Sequence, residues 1–302
     1  MAAGFMLFAL AGCTTSKSHT PAVAADPKFH IYLCFGQSNM EAGARPEPQD
    51  QGEVDPRFQM LAAVDMPRLN RTNGHWYVAM PPLNREQNNM GPVDWFGRNM
   101  VANLPPDCRV GVINVSVAGA KIELWDQDIC TNYLNSAASW MQNICKQYGD
   151  NPYQRLVTMA KIAQQDGVIK GILLHQGESN AGDQQWCHKV KVIYDRLMKD
   201  LKLNPAEVPL LAGELVGVDE KGKCSAFNTN VLVNLPKTLP NAHIISSQGC
   251  KGTGDGLHFA VGGMRELGKR YAMQMLKLQG VSFKEVERPG LLPTAVTQPA
   301  AN

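Results

Sequence analysis

The 302-residue chain lacks a strong excess of either charge, a basic cluster and any apolar run long enough to cross a bilayer. Its 29 Lys and Arg against 27 Asp and Glu leave a net charge of +2, so nothing predicts a nucleic-acid partner. Cys-x-x-Cys and His-Glu-x-x-His spacings are missing too, which argues against a zinc site. Since no internal repeat or linker divides the chain, we expect one large domain.

Apolar runs alternate with amphipathic stretches along most of the chain. Strands are predicted at 29–35, 109–117, 168–174, 208–214 and 242–247, and helices at 95–104, 153–165, 184–201, 227–239 and 261–278. This alternation is typical of a parallel sheet covered by helices on both faces, an α/β fold in three layers. The segment 41–94 is too long for a simple crossover, and we interpret it as a lid or rim.

A serine follows the first predicted strand in the pentapeptide Gly-Gln-Ser-Asn-Met at 36–40. Because Gly36 permits a sharp turn, Ser38 is placed at the carboxyl end of the strand, where open α/β sheets carry their active sites. We interpret Ser38 as a nucleophile; the alternative is a helix cap. Asn39 is expected to order the turn.

An aspartate and a histidine lie three residues apart near the other end of the chain, flanked by glycine-rich turns. A nucleophilic serine needs an imidazole to take its proton and a carboxylate to orient the imidazole. His258 and Asp255 therefore complete a candidate triad with Ser38. A third polar turn, His-Gln-Gly-Glu-Ser at 175–179, follows the apolar run 168–174.

Taken in order, these three motifs resemble the SGNH hydrolase superfamily, and within it carbohydrate esterase family six and the sialate O-acetylesterase-like domains. The resemblance covers 28–280 and implies a flavodoxin-like five-stranded parallel sheet. It also implies an oxyanion hole formed by Ser38, Gly119 and Gln176. The family usually has two adjacent glycines where this chain has Gly119 and Ala120.

The resemblance implies a serine esterase that removes acetyl groups from carbohydrate, of acetylxylan esterase or sialate O-acetylesterase type, through an acetyl-enzyme. No metal or organic cofactor is expected, and the expected partner is acetylated carbohydrate. We interpret Gln37 and Glu178 as residues that support the site; the alternative for Glu178 is a substitute for Asp255. Two other functions stay open: a lipase or thioesterase of the same superfamily, and a non-catalytic carbohydrate-binding lipoprotein.

The ends of the chain have distinct compositions. Residues 5–10 form a short apolar run followed by Leu-Ala-Gly-Cys, which resembles a bacterial lipoprotein signal in 1–13 with lipidation at Cys13. A plain secretory signal is the alternative. Residues 14–27 would then be a flexible tether, and 281–302 a C-terminal tail, disordered from Arg288. The predicted location is the periplasm or outer membrane, with the membrane reached only through the lipid.

Seven cysteines remain besides Cys13. Export to an oxidising compartment would favour disulfides. Cys130 with Cys145 and Cys224 with Cys250 are candidate pairs, although spacing alone does not fix connectivity. Cys34, inside the first strand, is predicted to be a buried free thiol.

Overall fold

A mixed sheet forms the centre of the protein, whose computed structural model describes residue 1 and residues 24–292. Its strands follow the spatial order β3-β2-β4-β1-β5-β6-β7. All neighbours are parallel except β2 and β3. The strands of the described part are β1 (Asp26–Gly36), β2 (Phe58–Leu61), β3 (Trp76–Val78), β4 (Arg109–Ser116), β5 (Gly167–His175), β6 (Leu210–Gly213) and β7 (Ala242–Ile245).

Helices connect and cover these strands. The α-helices of the described part are α1 (Ser38–Glu41), α2 (Pro92–Asn103), α3 (Cys130–Ser136), α4 (Ser139–Gln147), α5 (Pro152–Ala163), α6 (Trp186–Asp200), α7 (Ala226–Asn230), α8 (Leu235–Thr238) and α9 (Val261–Leu278). Short 3-10 turns occur at Pro48–Asp50, Pro67–Leu69, Ile122–Trp125, Glu178–Asn180, Val218–Glu220 and Leu232–Asn234. In residues 24–292 no helix combines the length and apolar character needed to span a bilayer.

The predicted fold class is confirmed, with two more strands than expected. The five predicted strands are β1, β4, β5, β6 and β7, and their order β4-β1-β5-β6-β7 is the flavodoxin-like one. The prediction of five strands is wrong because β2 and β3, of four and three residues, extend the sheet beyond β4. Both lie in the segment 41–94, and such short strands give almost no periodic signal.

Side chains of β1 show that both faces of the sheet are covered. Tyr32 packs edge-on against Phe96 of α2, with ring centroids 4.9 Å apart. Phe35, three residues on and therefore on the opposite face, packs against Trp125 at 5.7 Å. All four rings are buried, so the central strand is enclosed in the three-layer arrangement that its unbroken apolar sequence predicts.

The domain extends beyond its predicted ends. Strand β1 begins at Asp26, inside the predicted tether 14–27. The predicted disorder from Arg288 is wrong up to residue 292. There the amide of Asp55 donates to the Gly290 carbonyl at 2.9 Å, and the amide of Leu292 donates to Glu53 at 2.8 Å. Residues 2–23, including Cys13, and 293–302 lie outside the described residues.

Every cysteine in 24–292 is a free thiol. The candidate pairs Cys130 with Cys145 and Cys224 with Cys250 are therefore not bonded, which corrects that expectation. Most of these thiols are buried among apolar side chains, where cysteine behaves as a small hydrophobic residue. Cys34 is fully buried, as predicted, and burial raises the pKa of its thiol.

Candidate active site

Three strands end side by side beneath the site. Gly36 is paired with Ser116 of β4 and with His175 of β5, so the loops that follow β1, β4 and β5 leave the same edge of the sheet together. Gly36 has φ of +152°, and a Cβ there would lie 2.1 Å from the carbonyl oxygen of His175. Only glycine fits this close approach, which starts the turn that presents Ser38.

Ser38 is the first residue of α1, which is a single helical turn. Its side chain is partly accessible to solvent. The amide of Gln37 donates to the His175 carbonyl at 3.0 Å, and the Gln37 carbonyl accepts from Met40 and Glu41 at 2.8 Å each. The turn is therefore held to β5 on one side and closed by its own backbone on the other. The Ser38 side chain stands at the edge of the sheet, as predicted.

The structure brings Ser38, His258 and Asp255 together from opposite ends of the chain. His258 Nε2 lies 3.0 Å from Ser38 Oγ, and His258 Nδ1 lies 2.7 Å from Asp255 Oδ2. With Nδ1–H donating to the carboxylate, Nε2 is left as the acceptor for the serine proton. This is the geometry that a base and its orienting carboxylate require.

A small hairpin presents the aspartate and the histidine. Gly252 and Phe259 form an antiparallel bridge, and the Thr253 amide donates to the His258 carbonyl at 2.9 Å. Burial raises the pKa of Asp255, but hydrogen bonds from the His258 side chain, the amides of His258 and Leu257 and the Thr253 side chain outweigh it and hold the pKa well below its usual range. Asp255 therefore stays ionised beside the imidazole.

Asn39 connects the serine turn to the histidine hairpin. Its Nδ2 donates to Glu178 Oε1 at 2.7 Å and to the Leu257 carbonyl at 2.9 Å. Its Oδ1 accepts from the Phe259 amide at 3.1 Å. The two bonds to the hairpin flank His258 in sequence, so this fully buried side chain fixes the histidine relative to the serine.

Glu178 contacts Asn39, and the structure places no hydrogen bond between Glu178 and His258. Its other carboxylate oxygen, Oε2, is buried without a hydrogen-bond partner among the described residues. Asp255 occupies the place at His258 Nδ1 that a substitute carboxylate would need. The geometry therefore matches the supporting role expected for Glu178.

Gln176 lies beside the site, but its side chain is buried and engaged elsewhere. Its Nε2 contacts three acceptors: Gln37 Oε1 at 3.1 Å, the Ala120 carbonyl at 3.2 Å and Asn180 Oδ1 at 2.8 Å. Its Oε1 accepts from Trp186 Nε1 at 2.5 Å. An amide nitrogen has two hydrogens, so none remains for an oxyanion. The structure thus assigns Gln176 to loop support, which differs from the predicted oxyanion role.

Gly119 is held close to the serine turn. The amide of Val117 donates to the Gly36 carbonyl at 3.0 Å, and Ser179 Oγ donates to the Gly119 carbonyl at 2.8 Å. Ser179 in turn donates its amide to Gln37 Oε1 at 3.3 Å. None of the described residues accepts a hydrogen bond from the amide of Gly119 or of Ser38. Both amides therefore lack an acceptor within residues 24–292, as a donor to an oxyanion must.

A cavity of about 800 Å³ opens beside Ser38 and His258. Segments 41–47, 87–89 and 258–261 line it, so part of the predicted lid segment 41–94 does border the site. Glu41 in its wall pairs with the buried guanidinium of Arg85. Burial raises the pKa of Glu41, although Arg85 opposes this. The cavity is large enough for a sugar-sized group.

Sequence reasoning missed residues whose position depends on the fold. Asn180 is part of the 175–180 turn but had no predicted role; its Oδ1 accepts from the Ile122 amide at 2.9 Å and so ties the Gly119 loop to Gln176. Arg45 lines the cavity from an exposed loop. Trp140 lies over Gly119, twenty-one residues away along the chain, and no local pattern marks it.

Comparison with known proteins agrees with this geometry. Residues 28–277 match the family model described as carbohydrate esterase, sialic acid-specific acetylesterase. The chain belongs to this family. It is therefore a carbohydrate esterase, an enzyme that hydrolyses carboxylic esters.

Solved structures share the fold of this esterase at low sequence identity. A protein from Arabidopsis thaliana superposes with a TM-score of 0.62 at 19% identity, covering 83% of this chain and 99% of its own. NanS superposes with a TM-score of 0.62 at 15% identity, and the match covers 85% of this chain and 99% of NanS. A carbohydrate acetylesterase from Xanthomonas citri gives 0.52 at 18%, covering 82% of this chain and 55% of its own. At these identities the likeness shows the fold alone.

Proposed function

We propose that this carbohydrate esterase removes acetyl groups from sugars through an acetyl-enzyme formed on Ser38. The observation that carries the proposal is the chain of contacts from Asp255 through His258 to Ser38, at 2.7 and 3.0 Å. His258 takes the proton of Ser38 as Oγ attacks the ester carbonyl. The imidazolium then protonates the departing sugar oxygen, and water, activated by His258, hydrolyses the acetyl-enzyme.

The amides of Ser38 and Gly119 are the proposed donors to the oxyanion. Their availability supports this assignment, because an amide without an internal acceptor can donate to charge that develops on the substrate. Gln176 contributes indirectly. By holding Gln37 and the Ala120 carbonyl, its side chain keeps the serine turn and the Gly119 loop in register.

The sugar is placed in the cavity beside His258. His258 must protonate the leaving alkoxide, so the alcohol part of the ester has to lie on the histidine side of Ser38. The cavity of about 800 Å³ lies there, bordered by segments 41–47 and 258–261. The structure offers this side the room that a sugar needs.

The proposal is tested by acetate release from a panel of acetylated glycans, comprising acetylated xylan, O-acetylated sialic acid and an acetylated neutral monosaccharide. We expect the wild-type enzyme to release acetate from at least one of them and to hydrolyse an aryl acetate. Ser38→Ala should reduce the aryl acetate rate by on the order of 10⁴-fold or more, because the acetyl-enzyme can no longer form.

A folding control accompanies the variant. Within residues 24–292 the only side-chain hydrogen bond of Ser38 is the one with His258, so the thermal midpoint of Ser38→Ala should stay close to that of the wild type. If a purified, folded Ser38→Ala enzyme retained a substantial fraction of the rate, Ser38 would not be the nucleophile. If the wild type released no acetate from any ester, the acetylesterase proposal would fail.

A further inference from the structure

Trp140 is a large apolar side chain that stays half exposed beside the active site. It lies near the start of α4, and 50% of its surface is accessible to solvent. Its ring atom Cη2 is 2.9 Å from the place where a Cβ on Gly119 would be. Gly119 itself has φ of +65°, which favours glycine. The indole therefore rests directly on the loop that carries a proposed oxyanion donor.

The helix does not depend on this residue for its own packing. The buried side chains of α4 are Met141 and Cys145. Tyr133 of α3 adds a contact from its hydroxyl to the Met141 sulfur at 3.6 Å and accepts the Lys121 amide at 3.0 Å. Among residues 24–292, the side-chain hydrogen bonds of α3 and α4 involve Tyr133, Ser136, Gln142 and Lys146, and none involves the indole nitrogen of Trp140. Neither the packing of α4 nor a hydrogen bond accounts for a tryptophan at this position.

The geometry of the tetrahedral intermediate indicates which group of the substrate Trp140 would contact. The tetrahedral carbon formed on Ser38 carries four groups: the serine oxygen, the oxyanion, the sugar oxygen and the acyl chain. The sugar oxygen faces His258 and the cavity, and the oxyanion faces the amides of Ser38 and Gly119. The acyl chain has to leave on the side away from His258. The lining of the cavity beside His258 includes neither Gly119 nor Trp140, which leaves the Gly119 loop and the indole on the acyl side.

We propose that Trp140 is a specificity-determining residue that closes the acyl side of the site and limits the acyl group to about the size of acetate. This inference rests on the proposed function of Ser38 and His258. An acyl chain longer than acetyl would collide with the indole, whereas the acetyl methyl group would end before reaching it. Discrimination between acyl groups that differ by a methylene is typically on the order of tenfold or more per methylene.

The test is Trp140→Ala, assayed for kcat/KM with aryl acetate, butyrate and hexanoate under one condition. The wild type should prefer acetate over butyrate by at least about tenfold. In the variant the kcat/KM for butyrate relative to that for acetate should rise by roughly tenfold, and the kcat/KM for hexanoate relative to acetate should rise by more. Trp140→Phe should lie between the two. Met273→Ala, an exposed apolar residue on the outer side of α9, is the control and should leave the ratios unchanged.

The outcomes separate this inference from the proposed function. An unchanged ester ratio in a folded Trp140→Ala enzyme overturns the inference and leaves the esterase proposal intact. An equal loss for all three esters also overturns it, because Trp140 would then only support Gly119. A higher KM for an acetylated glycan with unchanged aryl ester ratios would instead make Trp140 a sugar platform, again against the inference. A wild type without acetate activity defeats both proposals.

Discussion

Gln176 is an example of a side chain whose motif and whose contacts suggest different roles. Family resemblance places it in the oxyanion hole, yet its amide group is buried and bonded to Gln37, Ala120, Asn180 and Trp186. A buried amide with this many partners is costly to remove, because each partner left without a hydrogen bond costs about 1–3 kcal/mol. Its contribution to catalysis should therefore be inseparable from its contribution to stability.

Gln176→Ala is the corresponding prediction. We expect the thermal midpoint to fall by on the order of 5 °C or more, since Trp186 and Asn180 lose buried partners. The value of kcat should fall with it, as the serine turn and the Gly119 loop lose their register. Loss of an oxyanion donor alone would instead lower kcat by about 10²–10³ and leave the midpoint nearly unchanged.

The measurements are differential scanning calorimetry and steady-state kinetics on the same preparations. Gln164→Ala is a matched control, because Gln164 also donates its side-chain amide to a backbone carbonyl, that of Leu201 at 3.0 Å, but away from the site. A stable Gln176→Ala enzyme with a large loss of kcat would restore the oxyanion role to Gln176.

At the residue scale, the sequence predicted side chains that follow strands and missed those that reach the site from elsewhere. Ser38, Gly119 and Gln176 each follow a buried strand, and the carboxyl ends of parallel strands meet at one edge. Asp255 and His258 were found as a close pair. Trp140 comes from helix α4, which had no predicted counterpart, and only tertiary packing brings it onto Gly119.

At the scale of elements, α2 carries a buried acid that its sequence position explains. Asp94 lies in the first turn, and its Oδ2 accepts from the Gly91 amide at 2.9 Å, as an acid near a helix N-terminus does. Burial nevertheless raises its pKa from 3.8 to about 7, although Arg98 opposes the shift. The three guanidinium nitrogens of Arg98 have no hydrogen-bond partner among the described residues.

This pKa gives a pH-dependent contribution to stability, with a definite sign. Between 3.8 and about 7 the folded protein keeps a proton on Asp94 that the unfolded chain has released. The contribution of Asp94 to the free energy of unfolding therefore falls as pH rises through this window. Asp94→Asn should flatten the fall, because asparagine cannot titrate but still offers an oxygen to the Gly91 amide.

The measurement is urea unfolding of both proteins at about pH 5 and about pH 8. The readout is the change in the free energy of unfolding between the two pH values, compared between the wild type and Asp94→Asn. Absolute stability is not the readout, since removing the carboxylate also changes the surroundings of Arg98 at every pH. Equal pH dependence in the two proteins would show that Asp94 is ionised in the folded state throughout the range.

Elements were predictable where their periodicity extended over several residues. The long helix α9 and the strands β1, β4 and β5 follow from apolar runs or helical spacing that tertiary contacts did not override. Strands β2 and β3 exist because β4 offers a free edge and because the segment 41–94 is long enough to reach it. No property of their own four or three residues predicts them.

At the scale of the whole molecule, the described domain runs from residue 24 to residue 292, with its two ends tied into the same body. The family match over 28–277 covers its core. Residues 290–292 are bonded back to 53–55, and β1 starts at Asp26 next to β5. Both ends of the described part are therefore held by hydrogen bonds or strand pairing within the domain.

We propose that the segment before the domain anchors the enzyme through a lipid on Cys13. The proposal rests on the short apolar run at 5–10 followed by Leu-Ala-Gly-Cys, and on the twelve residues, 14–25, that separate this motif from β1. Lipidation would hold the enzyme at a membrane surface, where polymeric glycans outside the cytoplasm are within its reach. The plain secretory signal remains the competing interpretation.

Cys13→Ser decides between them. In the full-length chain expressed in a Gram-negative host, the wild type should fractionate with membranes, and mass spectrometry should find a lipid-modified Cys13. The Cys13→Ser protein should appear in the soluble fraction or accumulate unprocessed, because the thiol is the attachment point.

Cys224→Ser, which alters a free thiol inside the domain, should fractionate like the wild type. Since both variants leave Ser38, Asp255 and His258 unchanged, each should hydrolyse aryl acetate at the wild-type rate. Identical fractionation of wild type and Cys13→Ser, with an unmodified Cys13, would leave the secretory signal as the explanation.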